Sequence, residues 1–228
     1  MVSLWVLVFM AVLVWSGLQP KDYATWALEV APAVLGLMLL WATRRSFPLT
    51  TLLYLLILAH CVILMVGGHY TYAEVPLGDW VKPLFGFERN HYDRLGHFAQ
   101  GFVPALIARE VLLRRRVLAR RGWLPFLVLC ISLALSATYE LLEWAVAVGS
   151  EQGAVAFLGT QGDVWDTQSD MAFAGLGALL ALITMRRFHD RQLRKFSSLQ
   201  GSGAASMPGQ ALADSGTELV LRPAPSVS

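Results

Sequence analysis

Charge is scarce in this chain: 15% of its 228 residues are charged and 56% are hydrophobic, with a mean hydropathy of +0.53. A typical soluble domain has about a quarter of its residues charged, so the composition excludes an ordinary soluble globule and points to an integral membrane protein. Cysteine is scarcer still. Cys61 and Cys130 are the only two, and they fall on different apolar runs in opposite halves of a bilayer. A bond that needs Cα atoms within about 7 Å is therefore not expected. Also missing are an HExxH run, a complete CDP-alcohol transferase motif and any repeat of fixed period. No basic n-region or small-x-small cleavage site precedes Lys21, so the first apolar run is read as a retained span and not a signal peptide.

The sequence is rich in long apolar runs. A crossing helix needs about 20 mainly apolar residues, and six candidates occur: Val2 to Leu18, Trp26 to Ala42, Leu49 to Gly67, Leu95 to Leu113, Trp123 to Val148, and a last one ending near Met185. The apolar part of the last, Met171 to Met185, is too short, which predicts a helix starting at or before Asp166. The expectation is an all-α, polytopic membrane bundle of about six transmembrane helices over residues 1–196, with a disordered tail over 197–228. Basic residues concentrate at Arg44 and Arg45, from Arg114 to Arg121, and from Arg186 to Lys195. The positive-inside rule places these segments, and both termini, in the cytoplasm. Membrane anchoring accounts for this basicity, so no nucleic-acid partner is expected.

With that orientation the ionisable motifs converge on the outer side. Asp93, His97 and Gln100 are spaced i, i+4, i+7 on the fourth span, and Ser136, Glu140 and Glu143 repeat the spacing on the fifth. Asp163, Asp166 and Asp170 run i, i+3, i+7 at the start of the sixth. Each set shares one helical face. Ionisable groups at membrane depth are costly and face a polar interior or functional cavity. The small residues Ala174, Gly175, Gly177 and Ala178 permit close helix packing, and Gly96, Gly101 and Pro104 predict a close contact or kink on the fourth span. The loop from Gly68 to Tyr92, with Pro76, Pro83 and several aromatics, is read as a lid or re-entrant cover. The Gly-rich segment from Gly149 to Gly162 is read as a turn holding Asp163.

Three chemistries fit these residues. The first is a divalent-metal site acting on an envelope lipid or lipid-linked substrate. Asp93, Glu143, Asp163, Asp166 and Asp170 are its metal ligands, His97 and Glu140 its acid–base or ligand groups, Arg94 an anion-binding group, and Arg89 and Gln100 substrate contacts. The second is a structural or partner-binding network in which Arg89 or Arg94 pairs with Asp166, Asp170 or Glu143, while Arg109 and Glu110 snorkel or pair locally near the other end of the same span. The third is proton or small-solute transport, which the lack of an inverted repeat or a matching inner pathway disfavours. His60 is expected to be satisfied by a neighbouring helix, and His69 to sit in interfacial water. Oligomeric state is left open.

The stretches "GGHYTYAEVP", "RNHYDRLGHFAQGFVPA", "YELLEW" and "FLGTQGDVWDTQSDM" resemble the YjdF-like family of bacterial inner-membrane proteins, whose function is not known, over roughly His60 to Arg187. More distantly, Asp93 with His97, Glu140 with Glu143, and Asp166 with Asp170 are similar to the polar pattern of VanZ-like membrane proteins, some linked to glycopeptide-antibiotic resistance. In those proteins Gln accompanies the Glu of the fifth span, and Asn tends to replace Asp170. The resemblance implies a multi-pass inner-membrane location and supplies no catalytic residue.

Overall fold

A computed structural model describes residues 2–149 and 161–205. Among them there is no strand. The helices are α1 (Val2–Gly17), α2 (Tyr23–Thr43), α3 (Thr51–Tyr70), α4 (Pro76–Phe85), α5 (Tyr92–Arg114), α6 (Leu124–Gly149) and α7 (Asp166–Leu180). A π segment (Ala181–Met185) joins α7 to α8 (Arg186–Ala205). The segments Tyr23–Thr43, Thr51–Tyr70, Arg121–Gly149 and Asp166–Phe196 are each long and apolar enough to cross a membrane. The expected runs thus correspond to α1, α2, α3, α5, α6 and α7, with α1 and α5 as special cases.

With 16 residues, α1 is about 24 Å long, short of a hydrocarbon core of about 30 Å. At 23 residues α5 is long enough but too polar to stand alone in lipid. It lies in the centre, packed against α3, α6 and α7, so that Asp93, His97, Arg109 and Glu110 are all buried in protein. Lipid-facing positions such as Leu142, Trp144 and Ile183 are apolar and exposed, as a bundle immersed in acyl chains requires.

The small residues set the tightest interface, between α5 and α7. A Cβ on Gly101 would run into the carbonyl of Ala174, and a Cβ on Gly177 into the carbonyl of Phe98. The close contact expected near Gly96 and Gly101 is present, and α5 continues as helix through Pro104. Cys61 is buried, Cys130 exposed, and both are free.

The loop expected to act as a lid is ordered into a 3-10 turn (Tyr72–Glu74) and α4. Asn90 pins it: fully buried, its Nδ2 donates to the Val75 carbonyl (2.9 Å) and Asp79 Oδ1 (3.1 Å), and its Oδ1 accepts from the Tyr92 N–H (3.0 Å). Gly78 is required here because a Cβ would strike the Asn90 amide. The Gly-rich run ahead of Asp163 lies mostly outside the described residues. Its end is held by Gln161, which exchanges hydrogen bonds with the Asn90 backbone at 3.0 and 2.8 Å. Helix α8 continues to Ala205, past the boundary at 196 expected from composition, and the remainder of the proposed tail lies outside the described residues.

Helix α2 starts at a side-chain cap, the Thr25 N–H donating to Asp22 Oδ2 at 2.6 Å. The Thr25 backbone and hydroxyl hold the Asp22 carboxyl below the ordinary carboxylate range. A depressed carboxylate pKa contributes stability above its unfolded value that is lost as pH falls through the folded one. Asp22→Ala should therefore cost about 1 kcal/mol or less at neutral pH, the carboxylate being solvent-screened. The wild-type advantage, read from paired melting curves in detergent, should vanish as pH is lowered through and below the carboxylate range. A gap that persists undiminished in acid would remove the cap from the account.

Candidate functional site

The N-terminal half of α5, the C-terminal half of α6 and the start of α7 bring their polar faces together. Asp93, His97 and Asp170 are all buried and offer ligand atoms within 4.8 Å of one another. His97 Nε2 stands 3.4 Å from Asp93 Oδ1, and its Nδ1 stands 3.5 Å from Glu140 Oε1. Several buried polar atoms around this point lack a hydrogen-bond partner among the described residues: His97 Nδ1, Glu140 Oε1, Asp170 Oδ1, Gln100 Oε1 and Ser136 Oγ. Buried polar groups are nearly always satisfied, so this concentration of orphans in one place is unusual.

The site borders a cleft of about 380 Å³ of empty volume, lined by Asp93, His97 and Gln100 of α5, Tyr139 and Glu143 of α6, His60 of α3 and Glu29 of α2. Apolar Pro32 and Leu64 complete its walls. Tyr139 Oη donates to Glu29 Oε2 at 3.2 Å across the cleft between α6 and α2. Tyr72, tucked under Gly67 and Gly96 where a Cβ would meet its ring, forms another wall. Five carboxyls, Glu29, Asp93, Glu140, Glu143 and Asp170, thus share the cleft and its border with two imidazoles, His60 and His97. Like charges at this spacing in low dielectric cannot all be ionised without a compensating cation.

Asp163 and Asp166 take a different place from the one expected. Arg89 Nη1 donates to Asp163 Oδ2 (2.9 Å) and its Nη2 to Asp166 Oδ1 (2.5 Å), while Arg94 Nη2 reaches Asp163 Oδ2 at 3.0 Å. These four side chains form a clamp at the mouth of the α5–α7 interface, beside the Asp93–His97–Asp170 group. The two aspartates are committed to guanidiniums, and Arg94 also lies 5.6 Å over the Phe173 ring. The pairing expected of Arg89 with Asp166 is present. Burial, then Arg94 and Arg89, hold the neighbouring His91 imidazole below its ordinary range.

Other positions differ from expectation for physical reasons. His60 has no partner for Nε2 among the described residues, because it faces the cleft and not a packed helix. His69 is packed on α1, its Nδ1 3.0 Å from the Ser16 carbonyl and its ring 4.6 Å from that of Trp15, and so is not simply interfacial. Glu29 was not singled out in the sequence, although a lone carboxylate within the apolar helix α2, 3% exposed, is by itself a signal of this kind.

A second polar network lies at the opposite end of α5, where the sequence pointed to Arg109 and Glu110 but not to their partners Thr50 and His189. Glu110 accepts from the Thr50 N–H (3.1 Å) and hydroxyl (2.8 Å), Arg114 Nη1 (2.7 Å) and His189 Nε2 (3.0 Å). Arg109 Nη1 stands 3.1 Å from His189 Nδ1, and its Nη2 donates to Asp190 at 2.5 Å. A guanidinium only donates, so Nδ1 is the acceptor and Nε2–H the donor to Glu110. Arg109 and Glu110 therefore do not snorkel. They lock the starts of α3 and α8 to α5.

Fold and site together define a polytopic α-helical membrane protein with a buried acidic/histidine cleft. The family profile described as "Predicted membrane protein (DUF2238)" matches residues 1–191, and the inner membrane protein YjdF of Escherichia coli (strain K12) is 54% identical over 190 residues, 83% of this chain and 91% of that relative. The chain belongs to this family and is an integral inner-membrane protein. The match begins at residue 1, well before the His60 boundary expected, in keeping with α2 supplying Glu29 to the cleft. No solved structure gives a significant match, and neither comparison supports the more distant VanZ-like reading.

Proposed function

We propose that the Asp93–His97–Asp170 group is a divalent-metal site that serves chemistry on an envelope lipid or lipid-linked substrate. The observation that carries this reading is the convergence of three buried ligand atoms within 4.8 Å, ringed by orphaned polar atoms of Glu140, Gln100 and Ser136. A mixed histidine and carboxylate set suits Zn²⁺ or Mn²⁺. Ligand bonds of about 2.0–2.2 Å span the group after small side-chain adjustments. A bound cation also offsets the repulsion among the five carboxyls.

Such an ion would supply Lewis acidity and a more acidic water. Asp93, His97 and Asp170 hold it, with Glu140 a further ligand or a proton acceptor beside His97. Glu143, on the cleft wall, is placed to take or return a proton, and Gln100 to orient the polar part of the substrate. Arg89 and Arg94, through Asp163 and Asp166, act as positioning residues that hold the start of α7. The apolar walls formed by Pro32 and Leu64 favour a substrate with an apolar part.

The orientation follows from charge. Asp93 and Arg109 are 16 residues apart on α5, about 24 Å along its axis, so the site and the arginine-rich end lie at opposite ends of the helix. Placing the arginine-rich end and both termini in the cytoplasm sets the site in the outer leaflet.

The test is metal content. Protein purified without chelator should carry about one divalent ion per chain by elemental analysis, and Asp93→Asn with Asp170→Asn should lose it while circular dichroism stays helical. Wild-type protein with no ion above the detergent control, and none taken up on titration with Zn²⁺ or Mn²⁺, would sink the metal reading. The scaffold and proton-relay alternatives would then account for the cluster.

A further inference from the structure

A second cavity lies at the arginine-rich end, remote from the candidate site. Helices α1 and α2 meet where they are joined: Trp26 packs against Gly17 and its Nε1 donates to Ser16 Oγ at 3.1 Å. From there each leans on α3, and they splay towards Val2 and Trp41, leaving a groove of about 1060 Å³ of empty volume. Its floor is sealed by Trp5, whose Nε1 donates to the Tyr54 carbonyl at 2.6 Å. Val6, Leu37 and Leu40 line its walls. From Leu37 to Arg44 it runs about 10 Å along α2.

The rim is basic. Arg44 and Arg45 border the groove. Arg44 is braced 3.7 Å over the Trp41 ring and donates to the Trp41 carbonyl at 2.6 Å. Arg115 stands 5.0 Å over Phe47 in the same loop. Among the described residues, no carboxylate pairs with Arg44, Arg45 or Arg115. This contrasts with Arg89, Arg94, Arg109 and Arg114, all of which have acidic partners. An apolar slot at membrane depth with cations at its mouth is complementary to an acyl chain carrying an anionic head.

We propose that this groove binds one anionic phospholipid, its acyl chain between α1 and α2 and its phosphate at Arg44 and Arg45. Basic pockets between transmembrane helices hold anionic headgroups in this way. The site is independent of the acidic cleft.

Purified protein should be melted in detergent micelles doped with phosphatidylglycerol or with phosphatidylcholine of the same acyl composition, and its lipid adducts counted by native mass spectrometry. Phosphatidylglycerol alone should raise the melting temperature and give a one-lipid adduct. Arg44→Gln with Arg45→Gln should weaken apparent affinity roughly tenfold to thirtyfold. Val6→Trp, which fills the slot and leaves the charges, should abolish the adduct. Arg120→Gln with Arg121→Gln, basic but not lining the groove, should leave it unchanged. Equal stabilisation by phosphatidylcholine, or equal loss in the Arg120 and Arg121 control, would overturn the proposal. So would a Val6→Trp protein that binds lipid normally, or one whose only change is a loss of dimer mass, since a second copy would then occupy the groove.

Discussion

Leucine in place of Gly101 should prevent recovery of folded protein. The obstacle at Gly101 is the Ala174 carbonyl, part of a buried helix backbone that cannot rotate out of the way as a side chain can. Gly177 meets the α5 backbone at the Phe98 carbonyl from the other side, so α5 and α7 touch backbone to backbone over this stretch. One extra methyl or methylene in a packed core costs about 1–3 kcal/mol, and Gly101→Ala should fall in or above that range. A leucine forces the helices apart, and because α5 carries Asp93 and His97 while α7 carries Asp170, the candidate site is dismantled with the fold. Size-exclusion profiles and melting curves measure this. Gly36→Leu is the control, since nothing lies within 4 Å of a Cβ there, and it should behave as wild type. A Gly101→Leu protein that is monodisperse and melts normally would show that the α5–α7 contact is looser than described.

Glu110→Ala should be nearly as damaging, for an electrostatic reason. The Glu110 side chain is fully buried and accepts from Thr50, Arg114 and His189. Removing it strands the Thr50 donors and the Nε2–H that Arg109 fixes on His189, while Arg114 keeps the Pro48 carbonyl. Each buried donor left unsatisfied costs about 1–3 kcal/mol, and the partly exposed Arg114 loses its ion pair as well. Glu110→Gln keeps the shape and one carbonyl acceptor and should lose distinctly less. Equilibrium unfolding in detergent, followed by tryptophan fluorescence, separates the two. An alanine variant within about 1 kcal/mol of wild type would mean that water or relaxation satisfies the stranded groups and that the network is not a lock. Since this network is at the far end of α5 from the cleft, the metal binding proposed for Asp93, His97 and Asp170 should be the same in any surviving folded Glu110→Ala protein as in wild type.

The two predictions concern opposite ends of one helix, and they show why α5 takes the centre. Its charged groups number too many for a lipid-facing span, and besides the pairs within the helix, Asp93 with His97 and Glu110 with Arg114, they find partners on several neighbours. Asp93 and His97 meet α6 and α7, while Arg109 and Glu110 meet the starts of α3 and α8. The helix that is least membrane-like in composition is thereby the one that the others enclose.

The sequence by itself determined the fold class, the apolar helices, a start of the last span no later than Asp166, the absence of a disulfide and the shared faces of Asp93 with His97 and of Asp166 with Asp170. These are local properties: apolar run length and 3.6-residue periodicity depend on neighbours within a few turns. Only the tertiary structure decided which charges meet. Periodicity says that Asp163, Asp166 and Asp170 lie on one side of a helix, but not that Arg89 and Arg94 claim the first two and leave the third to face His97. Nor can it say that Glu29, some 64 positions before Asp93, closes the same cleft, or that Glu110 reaches His189 across 79 residues. In a low dielectric each ionisable group must find its partner across helices, and that choice is made by helix packing, which small residues such as Gly101 and Gly177 permit without naming the partner.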